Sequence, residues 1–446
     1  MGWRHVQYGY SATCDQRLQH VDGQPRKLKP TSRNKRRVVP ELQELYGILS
    51  GMSTQLLRIP GADGLRALAC LLVVWHHTTQ RFNPENSASW IQNIHFFGMR
   101  GEVGVSLFFV LSGCLLSLPF WNSFVNANPM PRLRFYAINR AARIIPAYWF
   151  NLIFCTAIAI WAFDQNINWW RLISGLLFIN SYHYSSFFPA ELNGPLWSIG
   201  LEVSSYVLLP MILFAIIKNT RKISFAIIGM ITWILALQLL NPWIIDTFMT
   251  SDKLKGWQYG LTGGAKQWLP YWNVGSFFAQ FLCGSLAALI IVALRAHGTL
   301  KSRLFDLSFV IFSIAAILLV ATRLAPGAPD SFTKQPYAAP FYAILMAAAL
   351  VSASLSTQIY KLLDNKLFSW IAKLSFSIYL WHMFLIEMIQ RKFLGKYVYY
   401  GLTDSLQWVF ISSIVLTASI LIAAISWRFL ESPVLKYARK ATTNRV

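Results

Sequence analysis

The sequence predicts an all-α, polytopic membrane bundle of about ten transmembrane helices, with both termini cytoplasmic and one re-entrant or interfacial segment. Three observations carry this. Hydrophobic residues are 55% of the 446 and charged residues only 13%, with a mean hydropathy of +0.42, whereas soluble chains carry roughly 25% charge. Apolar runs of spanning length, roughly 17–25 residues, alternate with short polar breaks. Lys and Arg number 40 against 18 Asp and Glu. With the N-terminus inside, most of those cations fall in inner segments, as the positive-inside rule asks. The same composition excludes a disordered, fibrous or disulfide-rich secreted chain. It assigns the net charge of +22 to cytoplasmic loops rather than to nucleic acid.

In chain order, residues 1–57 read as a basic, disordered cytoplasmic arm. Its Arg33, Lys35, Arg36 and Arg37 are either solvated or placed against anionic lipid. Residues 58–430 form the membrane domain, with spans at 64–82, 103–121, 144–163, 195–217, 223–245, 273–294, 304–321, 337–355, 374–391 and 406–428. The apolar stretch 170–188 is broken by Asn180 and His183 and followed by Pro189, so it is read as re-entrant or interfacial. An eleventh full span there would turn the basic loops 218–222, 295–303 and 361–373 outward. Residues 431–446 are a basic cytoplasmic tail. The cysteines at 14, 70, 114, 155 and 283 match no metal-ligand spacing and read as free thiols. Trp149, Trp169, Trp170, Trp268 and Trp272 suit an interfacial aromatic belt.

Ionisable groups inside a bilayer are costly, so each is a candidate for chemistry. On the first span, Arg66 and His77 are eleven positions apart. That is roughly 16 Å along a helix and close to three whole turns, so they share a face. An Arg at the mouth of a tunnel and a His deeper in suit anion binding and proton transfer. Snorkelling of Arg66 and an interhelical bond to His77 are the plainer alternative. Asp63 suits an N-cap. Arg140 and Arg143, three apart, share a helix face on the cytoplasmic side. They suit phosphate or pyrophosphate, or else an ordinary basic loop. Glu202, about two turns into a span, needs a partner. It could pair with an Arg, orient His77, bind the acceptor or bridge helices. His382, mid-span, reads equally as a proton carrier, a donor ligand or a packed interhelical histidine. Glu102, just before the second span, faces the acceptor side or is an interfacial charge. Gly104 and Gly113 permit close helix packing.

These residues fall into ordered motifs. The first span carries Asp63-Gly64-Leu65-Arg66 and, after ten intervening residues, His77. The second carries Gly104, Val105, Phe108, Phe109, Ser112 and Gly113. Arg140 and Arg143 are followed by Pro146 and Tyr148. The fourth span starts Pro195-Leu196-Trp197-Ser198 and continues with Glu202, Tyr206 and Pro210. The ninth holds Ser375, Ser377, Tyr379, Leu380, Trp381 and His382. The chain closes with Arg428-Phe429-Leu430-Glu431-Ser432-Pro433. In this order the motifs resemble membrane-bound acyltransferase family 3, which acylates envelope polysaccharides, peptidoglycan and macrolides. Two positions depart from its pattern: Ser106, where Asp is common, and Val203, where a second acid often follows Glu202.

The resemblance implies an integral-membrane O-acyltransferase in a bacterial inner membrane. Its donor would be acyl-CoA, acetyl-CoA in the first instance, docking from the cytoplasm at Arg140, Arg143 and Arg66, with His382 a further donor ligand. It implies His77, Arg66 and Glu202 as catalytic residues, with His77 either a general base or an acyl carrier. Glu102, Trp197, Ser198 and Tyr379 would contact the acceptor, a lipid-linked or polymeric envelope carbohydrate. No metal is implied. Relatives often carry a further hydrolase-like domain beyond the last span, and here 18 residues follow it. Transfer would thus be completed by this chain or handed to a separate extracytoplasmic transferase. A proton-coupled transporter and a noncatalytic polysaccharide-export protein are the rival readings.

Overall fold

The computed structural model describes residues 58–245, 269, 271–323, 335, 337–394 and 399–443. The expected arm, 1–57, Cys14 and Trp268 lie outside them. The helices are α1 (Ala62–Thr79), α2 (Ser89–Met99), α3 (Gly104–Val125), α4 (Leu133–Phe163), α5 (Trp169–Leu176), α6 (Trp197–Asn219) and α7 (Ile223–Ile244). They continue as α8 (Val274–Ala296), α9 (Arg303–Arg323), α10 (Phe341–Leu355), α11 (Ile359–Leu363), α12 (Lys366–Leu394), α13 (Ser405–Ser426) and α14 (Ser432–Thr443). Among the described residues there is no strand, only an isolated bridge between Phe82 and Leu402. The chain is an all-α polytopic bundle.

Each expected span coincides with a helix: α1, α3, α4, α6 to α10, α12 and α13. Among the described residues, eight helical segments are long and apolar enough to cross a membrane, and α1 and α10 are not among the eight. Asp63, Arg66, His76 and His77 lower the mean hydropathy of α1. The 15-residue α10 is short because Tyr337 and Ala338, both at positive φ, turn the chain just before it. Over the stretch 170–188 the only α-helix is α5, whose eight residues run from 169 to 176. At roughly 12 Å they cannot span, and irregular turns follow.

Small residues set the closest helix crossings. A Cβ on Gly113 would sit 1.8 Å from the carbonyl oxygen of Phe281, and one on Gly284 would sit 1.8 Å from that of Val110. The backbones of α3 and α8 therefore touch. Gly104 approaches α1 in the same way, 2.5 Å from the Ala69 carbonyl oxygen. So α3 is wedged between α1 and α8, which fixes the side chains on its remaining face.

Three expectations change. Asp63 does not cap α1. Gly61, at φ 85°, is the N-cap, while Asp63 lies in the first turn and accepts from Ser369 Oγ at 3.1 Å. The left-handed entry suits glycine, and an acid in the first turn suits the helix dipole. Trp272 is no belt residue: it is buried, with Nε1 donating to Tyr337 Oη at 2.9 Å. Trp149, Trp169 and Trp170 are exposed, as a belt requires. The last segment is not a plain tail. A π-helical turn, Trp427–Glu431, joins α13 to α14, and α14 packs on α4.

Candidate active site

A cavity of about 670 Å³ opens among α1, α3, α4, α6, α12 and the π turn. Arg66 and Asp63 enter it from α1, Arg140 and Arg143 from α4, Glu202 and Tyr206 from α6. Lys373 on α12 and Arg439 on α14 complete its charged lining. Five cations against two carboxylates make it a site for an anion. Arg140 Nε is buried and makes no hydrogen bond among the described residues, so a donor already removed from water is available there.

The helices explain why these groups converge. Positions 140 and 143 lie on one face of α4. Arg143 Nη1 donates to Glu431 Oε2 at 3.1 Å, and the Glu431 side chain is fully buried. Glu431 also accepts from Ser377 Oγ. Three sequence motifs thus meet in one contact, and the π turn brings it about: Trp427 lines the cavity while Glu431 points inward. The Arg143 guanidinium stands 5.3 Å from the Trp427 ring centre, and Lys373 Nζ 5.1 Å from it. Glu202 Oε1 accepts from Ser112 Oγ at 3.1 Å and from Tyr206 Oη. It faces Arg66 electrostatically, together with Arg140. Its hydrogen-bond partners are thus two hydroxyls, Ser112 and Tyr206.

At one end the cavity meets Phe108 and Tyr379, whose rings meet edge to face at 6.2 Å. Tyr379 Oη donates to the Pro195 carbonyl at 2.7 Å and lies 2.6 Å from Ser198 Oγ. Beyond Tyr379 is a histidine array. His382 lies 5.6 Å from the Tyr379 ring and 5.2 Å from His77. His76 lies 5.0 Å from His77, and Glu102 Oε2 is 4.0 Å from His76 Nε2. Neither His77 nor His382 lines the cavity. His382 is fully buried, with Nδ1 2.7 Å from the Tyr379 carbonyl, and its ring neighbours are Tyr379 and His77. Trp197 stands outside the cavity as well, stacked on Phe187 and edge-on to Phe277. Glu102 is buried beside the histidines.

Sequence reasoning missed Lys373, Trp427 and Arg439. Lys373 and Arg439 look like ordinary positive-inside residues, and Trp427 looks like an interface aromatic. Only the fold of α12 and α14 over α4 brings them together. Ser112 and Tyr206 were visible as motif positions, without the contact to Glu202 that gives them a role. Among the described residues no three His, Cys, Asp or Glu stand close enough to hold a metal ion.

The profile of the acyltransferase 3 family, described as an acyltransferase domain, matches residues 59–424. The chain belongs to this family. It is similar to O-acetyltransferase OatA of Staphylococcus aureus strains NCTC 8325 and COL, 26% identical over 402 residues and covering 86% of this chain. Another protein of strain COL, with a provisional O-acetyltransferase name, is 25% identical over 401 residues. The chain spans 58% of the length of these curated relatives. Together with its apolar helices, membership makes the chain an integral membrane protein of an acyltransferase family.

Proposed function

We propose that the chain is an O-acyltransferase that moves an acyl group, acetyl in the first instance, from acyl-CoA to a hydroxyl of a cell-envelope carbohydrate. The observation that carries this is the cavity with its unpartnered Arg140 Nε. It adjoins, through Tyr379, a buried histidine array in which His76 and His77 belong to the helix that supplies Arg66 and His382 to α12. The phosphates of the donor sit among Arg66, Arg140, Lys373 and Arg439, and Arg143 is held in place by Glu431. The pantetheine arm passes Phe108 and Tyr379 and presents the thioester near His77. Ser198 and Tyr379 line this passage, and Glu102 stands on the far side of the histidines, where the acceptor arrives. In this reading both termini and the cation cluster face the cytoplasm of a bacterial inner membrane.

For direct transfer, the His77 imidazole takes the proton of the acceptor hydroxyl as its oxygen attacks the thioester carbon. The carbon–sulfur bond breaks, and the departing thiolate recovers that proton from the imidazolium. If His77 instead accepts the acyl group first, the same nitrogen attacks the thioester carbon and the carbon–sulfur bond breaks. The acceptor oxygen then displaces the imidazole from the acyl carbon, and its proton passes to the thiolate. Where the immediate acceptor is a separate extracytoplasmic transferase, the first half of the reaction is unchanged. Glu202, bonded to Ser112 and Tyr206, holds Arg66 at the mouth.

The test is donor kinetics in membranes containing the full chain. Arg140→Ala removes a charge-assisted contact of about 1.5–3 kcal/mol, so KM for acetyl-CoA rises roughly tenfold or more while kcat changes little. An unchanged KM would refute donor binding in this cavity.

A further inference from the structure

We propose that Gln80 and His76 are positioning residues that lock His77 in the tautomer whose Nε2 carries the lone pair. The inference rests on the reading of His77 as the reacting histidine. It follows from a chain of hydrogen bonds that begins at a group with only one possible role. The Met99 carbonyl oxygen can only accept, and it lies 2.8 Å from His76 Nδ1. His76 Nδ1 therefore carries the hydrogen, and in the neutral ring its Nε2 carries a lone pair. That Nε2 lies 3.0 Å from Gln80 Nε2, so the amide NH2 donates to it. The orientation of the Gln80 amide is thereby dictated, because the reverse would set Oε1 against a lone pair. Gln80 Oε1 then faces His77 Nδ1 at 3.1 Å. An amide oxygen can only accept, so His77 Nδ1 carries the hydrogen and Nε2 is bare.

Helical spacing makes the arrangement possible. Gln80 follows α1 at three and four residues from the two histidines, so its one side chain reaches both rings. His382 is set independently in the same sense. Its Nδ1 lies 2.7 Å from the Tyr379 carbonyl, and its buried Nε2 has no hydrogen-bond partner among the described residues. Two imidazoles whose centres are 5.2 Å apart thus each offer a bare Nε2. The charged and titratable groups facing His77 are His76, His382 and Arg81, with Glu102 behind His76.

The experiment compares acetyl transfer from radiolabelled acetyl-CoA by full-length wild type, His77→Ala, Gln80→Met, His76→Phe and the Gln80→Met/His76→Phe double variant, in membranes at matched protein level. Gln80→Met keeps the bulk but removes the acceptor at Nδ1. It lowers kcat 10–100-fold, the usual effect of losing an orienting partner, with KM for acetyl-CoA unchanged. The imidazolium also loses a hydrogen bond that favoured it, so the acid limb of the pH–rate profile moves to lower pH. A residue that merely supports the fold would not move that limb. His76→Phe reaches His77 through Gln80, so its effect on kcat is smaller alone and adds nothing in the double variant. Wild-type kcat in Gln80→Met, an unmoved acid limb, or additive losses in the double variant would each overturn the proposal. Full activity in His77→Ala would overturn the reading beneath it, which separates the two failures.

Discussion

Replacing Gly113 by Ala tests the crossing that holds the site together. The added Cβ would lie 1.8 Å from the carbonyl oxygen of Phe281 and 2.7 Å from its carbonyl carbon. Both atoms are backbone, so no side chain can turn away. To reach the 3.0 Å that real Cβ atoms respect, the helices must part by more than an ångström. Overpacking of this kind costs about 1–3 kcal/mol, and with backbone on both sides the upper half of that range applies. Ser112 is the neighbouring residue, and its bond to Glu202 is already 3.1 Å long. The same displacement stretches it beyond useful length. Gly229→Ala is the control. Its Cβ would sit 3.4 Å from Ile216 Cγ1, and within a helix Ala gains up to about 1 kcal/mol over Gly. The assay is thermal unfolding of the purified chain in detergent, followed by loss of the monodisperse peak. Gly113→Ala melts several degrees below wild type and loses activity, while Gly229→Ala melts at or above it. Equal melting of Gly113→Ala and wild type would refute the close approach of α3 and α8.

The remaining predictions concern the charged groups. Glu431→Ala leaves the Arg143 guanidinium facing an apolar ring. Breaking a buried pair costs about 3–5 kcal/mol, and the lower end applies because the Arg143 side chain keeps 19% exposure. A lowered melting point reads this out, and wild-type stability would contradict it. Ser112→Ala removes one of two hydroxyls on Glu202, so activity falls by about tenfold or less, consistent with about 1 kcal/mol for one hydrogen bond, while the melting point holds. Lys373→Ala raises KM for acetyl-CoA and lowers its salt sensitivity. An unchanged KM would remove Lys373 from the donor site.

Much of this architecture is legible in the sequence, because a span announces itself by its length of apolar sequence. All ten expected runs are helices. Local signals failed where tertiary contacts decide. Asp63 looks like a cap, but Gly61 enters the helix left-handed and caps it instead. Trp272 looks like a belt residue, but Tyr337 satisfies its indole in the interior. Helical period puts Arg66 and His77 on one side of α1, yet only Arg66 lines the cavity. The meeting of Phe108 and Tyr379 in the cavity lining is not legible there, since it depends on how α3 and α12 pack. Lys373 and Arg439 carry no sequence mark that separates a site cation from a loop cation. Gln80 was invisible for another reason: an amide at the end of an apolar run has no chemistry until its two neighbours are seen to share it.

The central claim is acyl transfer through His77, and one measurement addresses it most directly. Membrane vesicles are loaded on the cytoplasmic side with radiolabelled acetyl-CoA and supplied with envelope carbohydrate, and base-labile O-acetyl label is then counted on that carbohydrate. Wild-type membranes should transfer label, and His77→Ala membranes with the same amount of protein should not. Equal labelling by the two, or none by wild type, would contradict the account.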